Sequence, residues 1–263
     1  MTTKPTNEAT RLISKKITEA ETIKLFLDYD GTLADFAPSP DHVLPDEDLI
    51  NLLRALSQPA NIEVVILSGR RLQHIEQLVP IDGLWRAGTY GIEIINPQGE
   101  LIERVNYRAI RPKLEQIKPK WHALIDDNDG FYLEDKGWSL ALHARDANQY
   151  IGSQILQDAQ NILQECHLGN QFRVLGGDRF LEVAPTIANK GLAVQFLVDH
   201  NDWQECLLIY IGDDDKDEEA IAVVKEYGGI TIKVDRLARE TKADSTLRDP
   251  HNVREWLNYQ FLM

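Results

Sequence analysis

Short apolar runs that end in glycine or charged residues alternate along the chain with segments of helical period, the pattern of a parallel sheet joined by crossover helices. The runs "IKLFLDYD", "NIEVVILSGR", "LWRAGTYGIEII", "ECLLIYIGDD" and "GITIKV" are the expected strands. Between them "PDEDLINLLRAL", opened by Pro45 and acidic residues, "RLQHIEQLV" and "DEEAIAVVKEYGG", closed by Gly228, are the expected helices. A last helix, "NVREWLNYQFL", turns Val253, Trp256, Leu257 and Phe261 toward the sheet. The segment before Glu21 is left open as a tail or as a piece packed on the core.

Between about Asn96 and Pro185 the pattern changes. A helix-like stretch from Ile110 to Asp126 precedes the alternating "FYLEDKGWSLALHAR", a second helix from Asn148 to His167, and the hairpin-like "FRVLGGDRFLEVAP". Two helices with paired antiparallel ribbons predict an α+β module, residues 97–185, inserted into an α/β core formed by 1–96 and 186–263.

Length and composition are compatible with that division. The chain has 263 residues, 43% hydrophobic and 27% charged, enough for one large domain or a domain with an inserted module. Its formal net charge of -14, from 42 acidic and 28 basic residues, repels polyphosphate backbones and anionic surfaces, so neither nucleic acid nor membrane is an expected partner. A small anion needs a locally positive pocket. Cys166 and Cys206 lack metal-ligand spacing and read as reduced thiols, and no apolar run approaches the roughly 20 residues of a membrane span. The expected compartment is the cytoplasm.

Three expected strands end in residues that carry chemistry: Asp28 and Asp30, then Ser68-Gly69-Arg70, then Asp213-Asp214. In an open parallel sheet the ligand sits beyond the carboxyl ends of the strands. Clustered carboxylates repel, and Mg²⁺, which takes carboxylate and carbonyl oxygens and bridges to phosphate, is the simplest ion to hold them. Asp28 can then attack phosphorus as a nucleophile and Asp30 can protonate the departing oxygen. Gly31 turns the backbone so that its N–H groups face an anion, Ser68 offers a hydroxyl and Gly69 an N–H, and Lys190, just before a helix, supplies positive charge. Each piece alone has a plainer meaning: a solvated Asp-Gly turn, an acidic helix start, a surface lysine. A calcium loop is excluded because Thr32 and Leu33 stand where a further acidic ligand and the required glycine belong.

Asp28 to Thr32, Ser68, Lys190 in "NKG" and "GDDDKDE" resemble the four motifs of the haloacid-dehalogenase-like phosphatases, with a Rossmann-like core. More narrowly, "LDYDGTL", "SGR", "EVAPTIANKG" and "IGDDDKDE" are similar to those of trehalose-6-phosphate phosphatases, a resemblance running from about Lys24 to Val234. It implies Asp28 as nucleophile and Asp30 as general acid and then base. It further implies Mg²⁺ held by Asp28, the Asp30 carbonyl and Asp213, with Asp214 and Asp217 supporting it through waters or the lysine. Gly31, Thr32, Ser68, Gly69 and Lys190 would hold the phosphate; Arg70, Gly91, Glu93, His143, Arg145 and Glu182 would line the sugar site beneath a mobile cap. The implied reaction is hydrolysis of trehalose 6-phosphate through an aspartyl phosphate. A functional association with a sugar-phosphate synthase is compatible with it. Thr89-Tyr90, Ala144, Ala184 and Lys216 depart from the family pattern, and Tyr90 and Ala184 keep another glycosyl phosphate, such as glucosylglycerol or sucrose phosphate, as an alternative; a non-catalytic sugar-phosphate-binding regulator is the more distant one.

Overall fold

A computed structural model describes residues 7–36, 44–177, 179–237 and 239–263. Residues 1–6 of the amino-terminal segment and Asp178 of the predicted hairpin lie outside the described residues. The chain divides into two compact units, one running to Ile102 and resuming at Asn189, the other spanning Glu103–Ala188.

The first unit is built on strands β1 (Ile23–Leu27), β2 (Ile62–Leu67), β3 (Trp85–Gly88), β4 (Glu93–Ile95), β5 (Leu101–Glu103), β10 (Leu207–Gly212), β11 (Ile230–Val234) and β12 (Ser245–Leu247). They lie in the order β12-β11-β10-β1-β2-β3-β4-β5, parallel from β12 to β3, with β4 antiparallel to β3. Alternation along β1 explains the layers. Leu25 and Leu27 join the cluster under α1 (Asn7–Glu19), α2 (Glu47–Leu56), α3 (Leu72–Leu78) and α8 (Pro250–Phe261), while Phe26 joins the cluster under α6 (Lys190–His200) and α7 (Asp217–Glu226). From β1 the chain passes to β2 on one side, and it later returns to β10 on the other. The carboxyl ends of these three neighbours therefore frame a switch point.

The segment before Glu21 packs on the core, one of the two readings left open: it contains α1, which places Ile13 and Ile17 there. Two features depart from the sequence expectation. The run 84–95 is two antiparallel strands, because Thr89, Tyr90 and Gly91 all have positive φ and turn the chain between them. The core sheet continues past Asn96 into β5, so the second unit starts at Glu103.

The second unit is a four-stranded antiparallel sheet, β6 (Tyr132–Asp135), β7 (Leu140–His143), β9 (Phe180–Pro185) and β8 (Phe172–Gly177) in that spatial order, with α4 (Tyr107–Ile125) and α5 (Gln149–Glu165). Leu140, Leu142, Leu181 and Val183 pack with Leu114, Trp121, Leu156 and Ala159 of the helices. Alternation puts Glu134, Ala141 and Glu182 in one cross-strand row on the opposite face. The β6–β7 hairpin is fixed to α4 through Asp135, which accepts from Arg111 at 2.7 Å on each oxygen, from Lys118 at 2.8 Å and from the Gly137 N–H at 2.9 Å.

These donors, Arg111 first, hold the Asp135 carboxyl well below the ordinary range against its partial burial. A depressed folded-state pKa gives stability that is complete above the unfolded Asp value, about 3.9, and is lost as pH falls through the folded one. Asp135→Asn should therefore lower the free energy of urea unfolding by about 2 kcal/mol at pH 7. The gap to the native chain should narrow below about pH 4; a gap constant with pH would show that the carboxylate charge is not what holds the hairpin.

Candidate active site

At the end of β1, the chain leaves the sheet at Asp28 and folds back on itself, with the Gly31 N–H donating to Ala34 O and the Leu33 and Ala34 N–H groups to Tyr29 O. Asp28 is buried and accepts at Oδ1 from Lys190 Nζ at 2.6 Å and at Oδ2 from Thr32 Oγ1 at 3.3 Å. Lys190 is the first residue of α6, whose preceding Asn189 caps the helix by accepting from the Leu192 N–H. Its ammonium is shared with Asp217 Oδ1, also at 2.6 Å.

Asp217 opens α7 and is fully buried. Oδ1 accepts from Lys190 and the Tyr210 hydroxyl, and Oδ2 accepts from the Asp213 and Asp214 N–H groups at 2.8 Å each. It thus shapes the turn that presents Asp213. Burial works against the Lys190 ammonium, but Asp217 and Asp28 hold it charged, well above the ordinary lysine value.

Carboxylate oxygens of Asp28, Asp213 and Asp217 lie within 4.8 Å of one another. Each oxygen of Asp217 already accepts from two donors, whereas each oxygen of Asp28 accepts from one, so Asp28 and Asp213 are the pair better placed to face a cation, with the Thr32 hydroxyl 3.3 Å and 3.5 Å from them. Asp213 also crowds the Asp28–Thr32 turn, since a Cβ on Gly31 would stand 2.3 Å from Asp213 Oδ2. Burial first, and the neighbouring carboxylates after it, push Asp28 well above the ordinary carboxylate range despite Lys190, and push Asp213 up to about 7. Two adjacent carboxylates whose charges disfavour one another, offering only oxygen atoms as ligands, fit a small hard divalent ion such as Mg²⁺.

Ser68 and Gly69 follow β2 on the neighbouring strand end, where the Ser68 Oγ accepts from the Arg70 N–H at 3.1 Å. The structure places the Arg70 guanidinium on Asp30, with Nε 2.7 Å from Oδ2 and Nη2 2.6 Å from Oδ1. Asp30 is thereby presented as an acceptor on both oxygens. Asp214 accepts from the Lys216 N–H and ammonium, and its carbonyl accepts from Lys233. Gly91 ends the positive-φ turn and Glu93 stands half-buried on β4 of the same unit.

His143, Arg145 and Glu182 belong to the second unit. Glu182 is buried and accepts from Ser139 Oγ at 2.7 Å and from Lys136 Nζ at 3.1 and 3.2 Å. His143 Nε2 lies 3.1 Å from Glu134, between the rings of Tyr132 and Phe180. Arg145 is exposed, and its carbonyl accepts from Arg179. Sequence reasoning missed Lys136, Ser139 and Glu134. Reading the Lys136-Gly137 pair as a hairpin turn would have carried Lys136 to the row of Glu182.

A family model described as trehalose-phosphatase matches residues 26–251. The chain belongs to the trehalose-phosphatase family. A probable trehalose-phosphate phosphatase D of Arabidopsis thaliana is 28% identical over 250 residues, 89% of this chain and 66% of that protein. A trehalose 6-phosphate phosphatase of Zea mays is 29% identical over 252 residues, 89% of this chain and 68% of that protein. The chain thus spans about two thirds of the length of these relatives. The C-terminal domain of the C. albicans trehalose-6-phosphate phosphatase superposes with a TM-score of 0.84 at 22% identity, over 95% of both chains, which establishes the shared haloacid-dehalogenase-like fold. No described helix is long and apolar enough to cross a membrane.

Because Asp217 is saturated by four donors, an amide there must set an NH₂ against at least one of them. Asp217→Asn should lower the unfolding free energy by about 3–5 kcal/mol, the cost of breaking a buried ion pair. Urea titration measures it, and a loss below about 1 kcal/mol would mean that Lys190 does not depend on this carboxylate.

Proposed function

We propose that the chain is a Mg²⁺-dependent phosphatase that hydrolyses trehalose 6-phosphate to trehalose and phosphate through an aspartyl phosphate on Asp28. The observation that carries this reading is the buried Asp28 carboxylate held against Lys190 and facing Asp213 at the end of β1. A pure binder has no use for a nucleophile kept in register with a paired lysine.

In the proposed first step an Asp28 oxygen forms a bond to phosphorus while the bond from phosphorus to the sugar oxygen breaks, and Asp30 gives its proton to that oxygen. In the second step Asp30 takes a proton from water, whose oxygen attacks phosphorus and releases Asp28. Lys190 and Thr32 hold Asp28 in line, and Ser68 and the Gly69 N–H take the transferring oxygens. Mg²⁺, held by Asp28, Asp213 and the Asp30 carbonyl, would offset the charge of the carboxylates and of the phosphoryl oxygens. Arg70 holds Asp30 beside this site with N–H donors on both carboxylate oxygens, and an incoming phosphoryl group that competes for the guanidinium would free an oxygen of Asp30 to face the sugar oxygen or the water.

The sugar is assigned to the second unit, whose buried Glu134, Lys136, Ser139 and Glu182 offer charged donors and acceptors in the pattern that sugar hydroxyls need.

With Mg²⁺, phosphate release should be strongest from trehalose 6-phosphate among a panel including sucrose, glucose and glucosylglycerol phosphates. Chelation should abolish it, and Asp28→Asn should lower it by about three orders of magnitude or more. Preference for another panel member would move the substrate and keep the mechanism, and a loss in Asp28→Asn of less than about tenfold would remove Asp28 as the nucleophile. The double variant Lys136→Met/Glu182→Gln, which leaves neither partner of that pair alone, should raise KM for trehalose 6-phosphate by about tenfold. Turnover of a phenyl phosphate ester should stay unaltered in it; equal losses on both substrates would place the pair outside sugar recognition.

A further inference from the structure

Thr89, Tyr90 and Gly91 form three consecutive residues with left-handed backbone, φ 47°, 56° and 84°. For a β-branched and an aromatic residue this is a strained conformation that persists only when the surroundings over-determine it. What holds it is the phosphate-side loop: the Thr89 N–H donates to Arg70 O at 2.6 Å and the Tyr90 N–H to Ser68 O at 2.9 Å. The strained turn therefore hangs on the two carbonyls that flank Gly69.

The side chain returns to the same point. Tyr90 is buried, and a Cβ built on Gly69 would stand 2.6 Å from Tyr90 Cε1, 2.8 Å from Cζ and 2.9 Å from the hydroxyl oxygen. The ring lies on Gly69, with no room for any side chain beneath it. Lys216 Nζ is 5.7 Å from the ring centroid and 3.3 Å from Asp214 Oδ2, so the ring also meets the acidic loop that follows β10. Tyr90 and Lys216, two positions at which the sequence departs from the family pattern, are thus neighbours. Arg70, whose carbonyl the turn holds, has its amide N–H on the Ser68 hydroxyl and its guanidinium on Asp30.

We propose that Tyr90 is a positioning residue for the phosphatase reaction: its ring, seated on Gly69, fixes the Ser68–Arg70 loop and, through Arg70, sets the carboxylate of Asp30. This rests on the assignment of Ser68 and Asp30 made above. Both act on the reacting phosphoryl group, so loss of the ring acts on turnover more than on substrate capture.

The test uses the full chain with Mg²⁺ and trehalose 6-phosphate, and resolves kcat from KM for Tyr90→Phe, Tyr90→Ala, Gly69→Ala and the double Gly69→Ala/Tyr90→Ala. Tyr90→Phe, which keeps the ring, should retain kcat within about threefold, whereas Tyr90→Ala should lower it by roughly 10- to 100-fold with KM within about threefold. Gly69→Ala should lower both kcat and the urea midpoint in the native background and do little to either once the ring is gone. Equal kcat losses for Phe and Ala, a change confined to KM, or a Gly69→Ala effect on the urea midpoint that is the same with and without the ring would each overturn the proposal. If the native chain releases no phosphate from any sugar phosphate, the phosphatase assignment fails on that result. The unfolding cycle then still decides whether the ring is seated on Gly69, and additivity there overturns the proposal by itself.

Discussion

The site depends on one buried ammonium shared by two buried carboxylates. Moving Lys190, Asp28 and Asp217 out of water costs several kcal/mol per ion, and only short, charge-assisted contacts on every side recover it. That requirement fixes much of the first unit. Asn189 must start α6 where the lysine reaches both partners, and α7 must begin at Asp217 so that one carboxylate caps its own loop and holds the ammonium at once. Asp217 is neutralised on all sides. Asp28 is not, because burial works against its charge, Lys190 is divided between them, and Asp217 and Asp213 stand nearby. The residue left electrostatically unsettled is thus the one at the mouth of the switch point, where a cation and a phosphoryl group can settle it.

Much of this architecture was legible in the sequence because its causes are local. Strands buried on both faces read as continuous apolar runs, and a strand that ends in Asp-x-Asp-Gly announces itself within five residues. The helix α1 was left open since its core contribution rests mainly on Ile13 and Ile17 among polar neighbours. The edge strands β5 and β12 are three residues each, below the length at which alternation can be read. The break of 84–95 into two strands was invisible for another reason: neither threonine nor tyrosine signals a left-handed backbone, and the carbonyls of Ser68 and Arg70 that help hold it lie far back along the chain.

The same division runs through the site. Residues whose place follows from standing at a strand end or a helix start (Asp28, Ser68, Asp213, Lys190) were located from spacing. Roles that depend on a partner far along the chain were not. Arg70 meets Asp30 across 40 residues, and Lys136 meets Glu182 across 46, the second set by the registers of β6 with β7 and of β7 with β9. A single-residue slip in either register would turn one member of the row to the helix side. Pairings of this kind belong to the fold and not to any short stretch of sequence.

Arg70 shows why the distinction matters for mechanism. A guanidinium that donates to both oxygens of Asp30 and a guanidinium that donates to a phosphoryl group are mutually exclusive uses of one planar fork. In the proposed reaction Asp30 must give a proton in one step and take one in the next, so the carboxylate needs two environments. A phosphoryl group in the site competes with Asp30 for that fork, and the exchange needs a backbone that stays fixed while the side chain changes partners. The structure fixes that backbone from two sides, with the Arg70 N–H on the Ser68 hydroxyl and its carbonyl on the strained turn at Thr89. An immobile main chain carrying a side chain with two competing anions lets the arrival of phosphate release Asp30 from the fork without disturbing the loop.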